Sequence, residues 1–286
     1  MDWPKIKTIL IIVLLVTNVM LGYTFLREQQ RFENEEKNNL EGVIQLFTNK
    51  GVTIEVSNTV FPKSIKSVNV DLETYGQANV AALLGSDFAF DGEKYVSEDR
   101  IVTLEESLIL YAVDTHYNRV IKDEGPSLTS FTKVVDNAVV KELNVKADVF
   151  LIKSGFALNY DAIEVFKSGD YMLVKLLQKY ESFIFEESQT YIWFYDDAIV
   201  GFKRENVVNI SSTPGSKYDI LSIDRILYTL LPKLQNGDVV ESVSVIYKLN
   251  DESLLVSNLV LGEALPYYQI VLKSGASFHV RAVVNL

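Results

Sequence analysis

The sequence predicts an α+β protein: a single N-terminal transmembrane helix, then an extracytoplasmic region of two lobes built from antiparallel sheets with helices packed on one face. Three observations carry this expectation. Residues Thr8 to Leu26, TILIIVLLVTNVMLGYTFL, include no charge. After Gly51 the apolar period changes from helical spacing to the alternation of strands. From residue 126 onward, the order of a helix followed by several strand-like runs occurs twice, which is how helices come to lie on antiparallel sheet.

The apolar run comes first. As a helix it spans roughly 28 Å at about 1.5 Å per residue, close to the roughly 30 Å hydrocarbon core of a bilayer. A secretory signal usually has an apolar region of about 7–15 residues and a small-x-small cleavage site. This run is longer and leaves through Tyr23, Phe25, Leu26 and Arg27, so it is an uncleaved signal-anchor; cleavage after Gly22 is the alternative, which Met20 suits poorly. The chain has no cysteine, which excludes a lipoprotein anchor. Lys5, Lys7 and the α-amino group lie on the short side, opposed only by Asp2, so residues 1–7 are expected in the cytoplasm and the bulk of the chain outside. Thr17 and Asn18 fall near the middle of the run, where an unpaired amide is costly. Asn18 and Gly22 are one turn apart, with Leu14 a turn before. Leu14, Thr17, Asn18 and Gly22 therefore form a candidate partner-binding face for a second transmembrane helix, at about 0.6–2 kcal/mol per polar contact. The alternative is that Asn18 bonds its own backbone.

Composition narrows the partners. The formal net charge is −11, which repels nucleic acid and anionic headgroups, so neither is an expected partner. Without cysteine the outer region cannot be disulfide-stapled and must rest on its apolar core.

Residues 27–50 continue as a juxtamembrane helix. Its first half is polar on all sides, while Leu40, Val43, Ile44 and Phe47 form a stripe at i, i+3, i+4 and i+7 that Gly51 ends. It serves either as a stalk or as a helix that passes motion to the span. The first lobe is expected over residues 51–125. It holds strands at Val52–Val56 and Ile65–Leu72, a helix over Gly76–Leu84, and a hairpin turning at Asp91-Gly92 into strands near Lys94–Val96, Arg100–Leu104 and Glu106–Ala112. Lys122-Asp123-Glu124-Gly125-Pro126 is the break. The second lobe, 126–286, opens with a helix carrying Leu128, Phe131, Val134, Val135, Ala138, Val139 and Leu143, with Ser127 as N-cap. Strands follow at Gly155–Tyr160, Asp170–Leu177, Ser182–Glu186, Thr190–Tyr195 and Ala198–Glu205, with Asp196-Asp197 as a turn. Ser211–Ser216 has the composition of a loop. A helix with Ile223, Ile226, Leu227, Leu230 and Leu231 is ended or kinked by Pro232, and strands are expected at Val239–Leu249, Leu254–Leu261, Tyr267–Lys273 and Ser277–Val284.

No catalytic or metal-ligating set emerges, and no cofactor motif. His279 alternates along a strand and shares a face with Arg281; His116 lies in Asp114-Thr115-His116-Tyr117-Asn118, and neither has a G-x-S-x-G partner. Adjacent carboxylates at Glu105-Glu106, Glu186-Glu187 and Asp196-Asp197 would point to opposite faces of a strand, and Glu35-Glu36 would be solvated on the helix. There is no H-x-x-x-H, cysteine cluster or calcium loop. The chain is not expected to be an enzyme. Exposed aromatics at Tyr267 and Tyr268 could form a sugar-stacking groove, which keeps open an envelope module that binds wall fragments and signals through a membrane partner.

The opening Met1-Asp2-Trp3-Pro4-Lys5-Ile6-Lys7-Thr8-Ile9, running into an apolar stretch with Asn18, resembles the start of the YycI (WalI) family of Gram-positive bacteria. Thr190–Tyr195 with Ile199–Phe202 is similar to that family's paired strands, and Ile220–Leu231 to its late helix. Leu265–Ile270 followed by Phe278–Ala282 resembles its closing pattern, with Tyr268 in place of a Trp and Arg281 in place of an Asn. The resemblance implies a single-span accessory protein of the cell membrane with a YycH-like α+β outer region. It implies action, with a YycH-type partner, on the sensor histidine kinase of the WalK/WalR (YycG/YycF) system, which controls cell-wall metabolism. It implies no catalytic residue.

Overall fold

The computed structural model describes residues 3–55, 61–105, 107–114, 117, 131–249 and 261–283; the side chains at 3–10, 12, 13, 29–38, 212, 214 and 261 are outside the description. The protein is a mixed α+β fold dominated by sheet. Its chain divides into two compact units. The first comprises Met1–Thr59, Leu221–Ser242 and Val271–Ala276, and the second Val60–Ile220, Val243–Ile270 and Ser277–Leu286.

In the first unit, helix α1 runs unbroken from Trp3 to Lys50. Among the described residues no helix is long and apolar enough to cross a membrane, so the span expected at Thr8–Leu26 is not identified there. At the other end of α1, Phe47 is fully buried, Leu40 and Val43 are half-buried and Ile44 is more open. A helix at Ile223–Leu230 (α4) packs on α1 and buries Ile226, Leu227 and Leu230. Its last carbonyls pass into a 3-10 turn at Leu231–Lys233, because Pro232 has no N–H to continue the helix. Strand β1 (Thr53–Ile54) pairs parallel with the start of β13 (Val239–Leu249) at Thr53↔Val239 and Ile54↔Val240.

The second unit is a large sheet, nearly all antiparallel. Strands β2 (Ser64–Leu72), β5 (Arg100–Leu104), β6 (Leu108–Ala112), β8 (Ala162–Ser168), β9 (Tyr171–Tyr180), β10 (Phe183–Tyr195), β11 (Ala198–Glu205), β12 (Val208–Asp219), β14 (Leu261–Leu272) and β15 (Ser277–Arg281) form most of it. The short strands β3 (Ala89–Phe90), β4 (Tyr95–Ser97) and β7 (Thr132–Lys133) add to its edges. Two helices, α2 (Gln77–Leu84) and α3 (Asn137–Lys153), cover one face. Val80, Leu83 and Leu84 of α2 and Leu143, Ala147 and Leu151 of α3 pack with Val102, Ile109, Ile192 and Phe202. On the opposite face Leu110, Leu173, Tyr191, Trp193 and Val200 form a second apolar cluster. Helices on one face is thus the observed arrangement.

Strands from the two expected lobes share this sheet, since β6 pairs with β11 and β2 with β12 and β14. The expected break at 122–126 lies outside the described residues. Three local expectations are corrected. Helix α3 starts at Asn137, where the Asp136 carboxylate accepts from the Ala138 N–H at 2.9 Å; residues 132–133 pair with β8 instead, and Ser127 lies outside the described residues. Gly155–Tyr160 is not a strand but the connection from α3 to β8. Ser211–Ser216 is not a loop but the middle of β12, accommodated by register shifts around Pro214.

Candidate functional site

The four residues expected to bind a partner helix lie along one strip of α1. Leu14 is 62 % exposed, Thr17, Asn18 and Gly22 are exposed as well, and a Cβ added at Gly22 would meet nothing within 4 Å. Every described side chain from Leu14 to Glu28 is exposed, on all faces of the helix. The structure aligns the four residues along α1.

Where α1 ends, the first unit grips it. The Lys50 ammonium donates to the Leu231 carbonyl at 2.6 Å, meeting a carbonyl at the end of α4. The chain then reverses at Gly51, φ 79°, where a Cβ would stand 2.0 Å from the Asn236 side-chain oxygen. Only glycine fits both the left-handed backbone and that approach. The Gly51 carbonyl accepts from the Gly237 N–H at 2.9 Å, the Val52 N–H donates to Phe47 O, and the Thr53 N–H donates to Asp238 O. Main-chain bonds, an apolar plug at Phe47 and one charged cap fix the helix end.

The second unit holds a different kind of site. Strand β10 changes partners along its length: Ile184 and Phe185 pair parallel with Ile246 and Tyr247 of β13, while Gln189–Tyr195 pair with β11. Its register with β9 slips between Ile184 and Gln189. Glu186 and Glu187 occupy that irregular stretch. A regular strand would send them to opposite faces, yet both reach Lys248, whose ammonium is 3.8 Å from Glu186 Oε2 and 3.3 Å from Glu187 Oε1. The expectation of opposed carboxylates is therefore corrected at this pair, and the irregular register is the reason. Glu187 also accepts the Leu249 N–H at 2.6 Å.

A polar row runs outward from Glu186 across β14 and β15. The Ala282 N–H donates to Pro266 O, and the Leu272 N–H to Ala276 O, a register that places Gln269 opposite His279 and Tyr267 opposite Arg281. All four point to one face by the period of two. The Gln269 amide donates to Glu186 Oε1 at 3.1 Å. His279 Nε2 lies 2.7 Å from the same oxygen, without the alignment of a hydrogen bond. The Lys248 ammonium stands 5.9 Å from the centre of the Tyr267 ring. Glu186 Oε2 and the Arg281 Nε and Nη2 atoms are buried and accept or donate no hydrogen bond. His279 is on the face it was expected to share with Arg281, but it is part of this row and only 24 % exposed. Tyr268, expected beside Tyr267 as a stacking surface, is buried and meets Phe61 edge-on; only Tyr267 remains available.

A second guanidinium, Arg204 of β11, is buried in the helix-covered core beside Phe202. Its Nε and Nη2 both donate to Glu73 Oε2, at 3.1 and 2.7 Å, and Nη2 also reaches the Ala157 carbonyl. It lies 5.5 Å from the Phe156 ring centre. Burial pushes the neighbouring Tyr75 hydroxyl well above its ordinary value, and the Arg204 charge pulls it back by less. On the opposite face, burial lowers the Lys175 ammonium despite Glu164 and Glu186 nearby.

Among the described residues no group of His, Asp or Glu is placed to hold a metal ion, and the two carboxylates of the polar row already face Lys248. The row has donors and an acceptor, and among the described residues no nucleophile and base are aligned in it. The Glu186–Arg281 row was missed in the sequence because its members are far apart in the chain. The one available signal was His279 and Arg281 alternating on a face with Tyr267 nearby.

No protein family matches the sequence, and no curated protein does. The chain is similar in fold to a solved structure, an uncharacterized protein from Eubacterium rectale ATCC 33656 at 1.45 Å resolution, with a TM-score of 0.52 and 9 % identity over 87 % of this chain and 94 % of that one. At that identity the likeness concerns the fold alone.

Proposed function

We propose that the protein is a membrane-anchored extracytoplasmic regulator of a sensor histidine kinase of the WalK (YycG) type, acting beside a YycH-type partner. The N-terminus lies in the cytoplasm, Thr8–Leu26 spans the bilayer of a Gram-positive cell, and the strip Leu14, Thr17, Asn18 and Gly22 packs against a kinase span. The observation that carries the reading is the continuity of α1 from Trp3 to the gripped end at Lys50. A helix without a hinge conveys a tilt or rotation of the outer unit to its far end. The exposure of large apolar side chains on all described faces from Leu14 to Leu26 supports it too, since such a surface is stable only against lipid or other helices. To regulate, the protein must bind two kinase states with different affinity; equal binding would shift nothing. The sequence resemblance supplies the identity of the kinase.

The reading is tested by site-specific crosslinking from single cysteines introduced between Thr8 and Leu26, in a chain that has none. Crosslinks to the kinase are expected to peak at positions 14, 18 and 22, and Asn18→Leu is expected to weaken them. A uniform pattern around the helix, or no crosslink at any position, would remove the span from the mechanism.

A further inference from the structure

We propose that the groove between helix α3 and the β10–β11 hairpin binds a small amphipathic anion, a medium-chain alkyl carboxylate. The groove has a volume of about 440 Å³ and lies wholly within the second unit. Its apolar lining is not accounted for by the fold. Leu143, Ala147 and Leu151 are the core face of α3. Val145 and Val149 lie beside that face, one turn apart, and remain 55 % and 45 % exposed. A β-branched residue on an exposed helix face lowers helix propensity and buries little in return. The buried Phe194 ring and the half-buried Phe150 and Ile199 side chains complete the apolar surface.

Size and charge define the occupant. Small-molecule sites run from about 300 to 1,000 Å³, which includes this groove. Eight residues line it, against the roughly 20–30 on each side of a stable protein–protein interface. At one end the Lys146 ammonium is held by Glu142 at 2.8 Å and by Asp197 at 2.9 Å, which leaves that end net negative. Lys153 lines the groove two turns further along α3, and among the described residues no carboxylate forms an ion pair with it. An anionic head is therefore drawn to Lys153 and repelled from Asp197, with its chain lying along Val149 and Val145. From Val145 to Lys153 is about 12 Å at about 1.5 Å per residue, the scale of an eight-carbon chain. This site does not rest on the kinase reading, and its test contains no kinase.

The full chain, methyl-labelled at Val, Leu and Ile and held in a lipid nanodisc, is titrated with octanoate, hexanoate and octanol while its methyl resonances are followed. Octanoate is expected to shift the Val145, Val149 and Ile199 methyls saturably. Val135, 84 % exposed and outside the groove, is expected not to move. Hexanoate, two methylenes shorter, is expected to bind about five- to tenfold more weakly. Lys153→Gln is expected to weaken octanoate about two- to fivefold and to leave octanol unchanged. Val149→Asn, on the exposed side of α3, is expected to abolish saturation, with the remaining methyl spectrum confirming the fold of each variant. No saturable shift with octanoate, equal shifts at Val135, equal losses of octanoate and octanol in Lys153→Gln, or undiminished binding by folded Val149→Asn would each overturn the proposal. The same shifts on raising the protein concentration alone would place a second copy of the chain in the groove and overturn it too.

Discussion

Two arginines on the second unit's sheet differ in how their guanidinium groups are paired and enclosed. Arg204 and Arg281 both withdraw the Nε/Nη2 edge of the guanidinium from solvent; in Arg204 that edge is filled by Glu73, and in Arg281 it is empty. Arg204 is closed on every side, with the Ala157 carbonyl and the Phe156 ring completing its cage. Arg281 lies at the rim of a row whose other members are about a quarter exposed. A satisfied buried cation ties strands together, whereas buried donors without a partner cost stability. The fold uses the first as a tie between strands; the second supplies no such tie.

That contrast can be broken from either side. Arg204→Ala leaves the Glu73 carboxylate without its partner, so urea unfolding of the second unit is expected to show a loss of about 3–5 kcal/mol. A loss under about 1 kcal/mol would mean that Glu73 is solvated rather than captured.

High pH gives the next largest effect. Burial holds the Tyr191 hydroxyl up to about 12, with Glu205 and Glu164 adding to it, and pushes Tyr75 and Tyr247 up as well. The folded pKa is raised above the unfolded value of about 10, so this stability is complete below pH about 10 and is lost as pH rises toward 12. Tyr191 alone contributes on the order of 2 kcal/mol across that window. Phenolate absorbance followed beside circular dichroism should show buried tyrosines ionising only as the unit unfolds; early ionisation without unfolding would contradict their placement.

The smallest effect is the most pointed. Arg281→Met removes unpaired donors and no hydrogen bond, so stability is expected to stay within about 0.5 kcal/mol or to rise. A loss comparable to that of Arg204→Ala would show that Arg281 is a structural cation after all.

Elements whose cause is local were legible in the sequence. The hairpin at Asp196-Asp197 forms where two acidic residues take φ of 45° and 64°, and the α4 helix ends at Leu230, where Pro232 follows in the 3-10 turn. Where the cause is tertiary, reading failed. Ser211–Ser216 has loop composition, yet a Cβ at Gly215 would sit 1.9 Å from the Ser67 carbonyl. That glycine marks a close approach of two paired strands at a register shift rather than a turn. The helix expected from Ser127 begins at Asn137, because Thr132 and Lys133 within the expected stretch form instead the edge strand that pairs with β8. Of the candidate site, His279 and Arg281 were visible as one face of a strand. Their partner Glu186 was not, since only the slip in β10 turns it and Glu187 toward one lysine. The strip Leu14, Thr17, Asn18 and Gly22 follows from helical spacing alone, and α1 indeed runs through it without a break.

The central claim is that the outer region acts on a kinase through an unbroken α1. Asn39→Pro would interrupt the helix between the strip and its gripped end while leaving both intact. Kinase autophosphorylation in proteoliposomes is the readout, with co-purification measured in parallel. The account predicts that the variant still associates with the kinase but no longer changes its activity. Unaltered regulation by a chain carrying Asn39→Pro would contradict it.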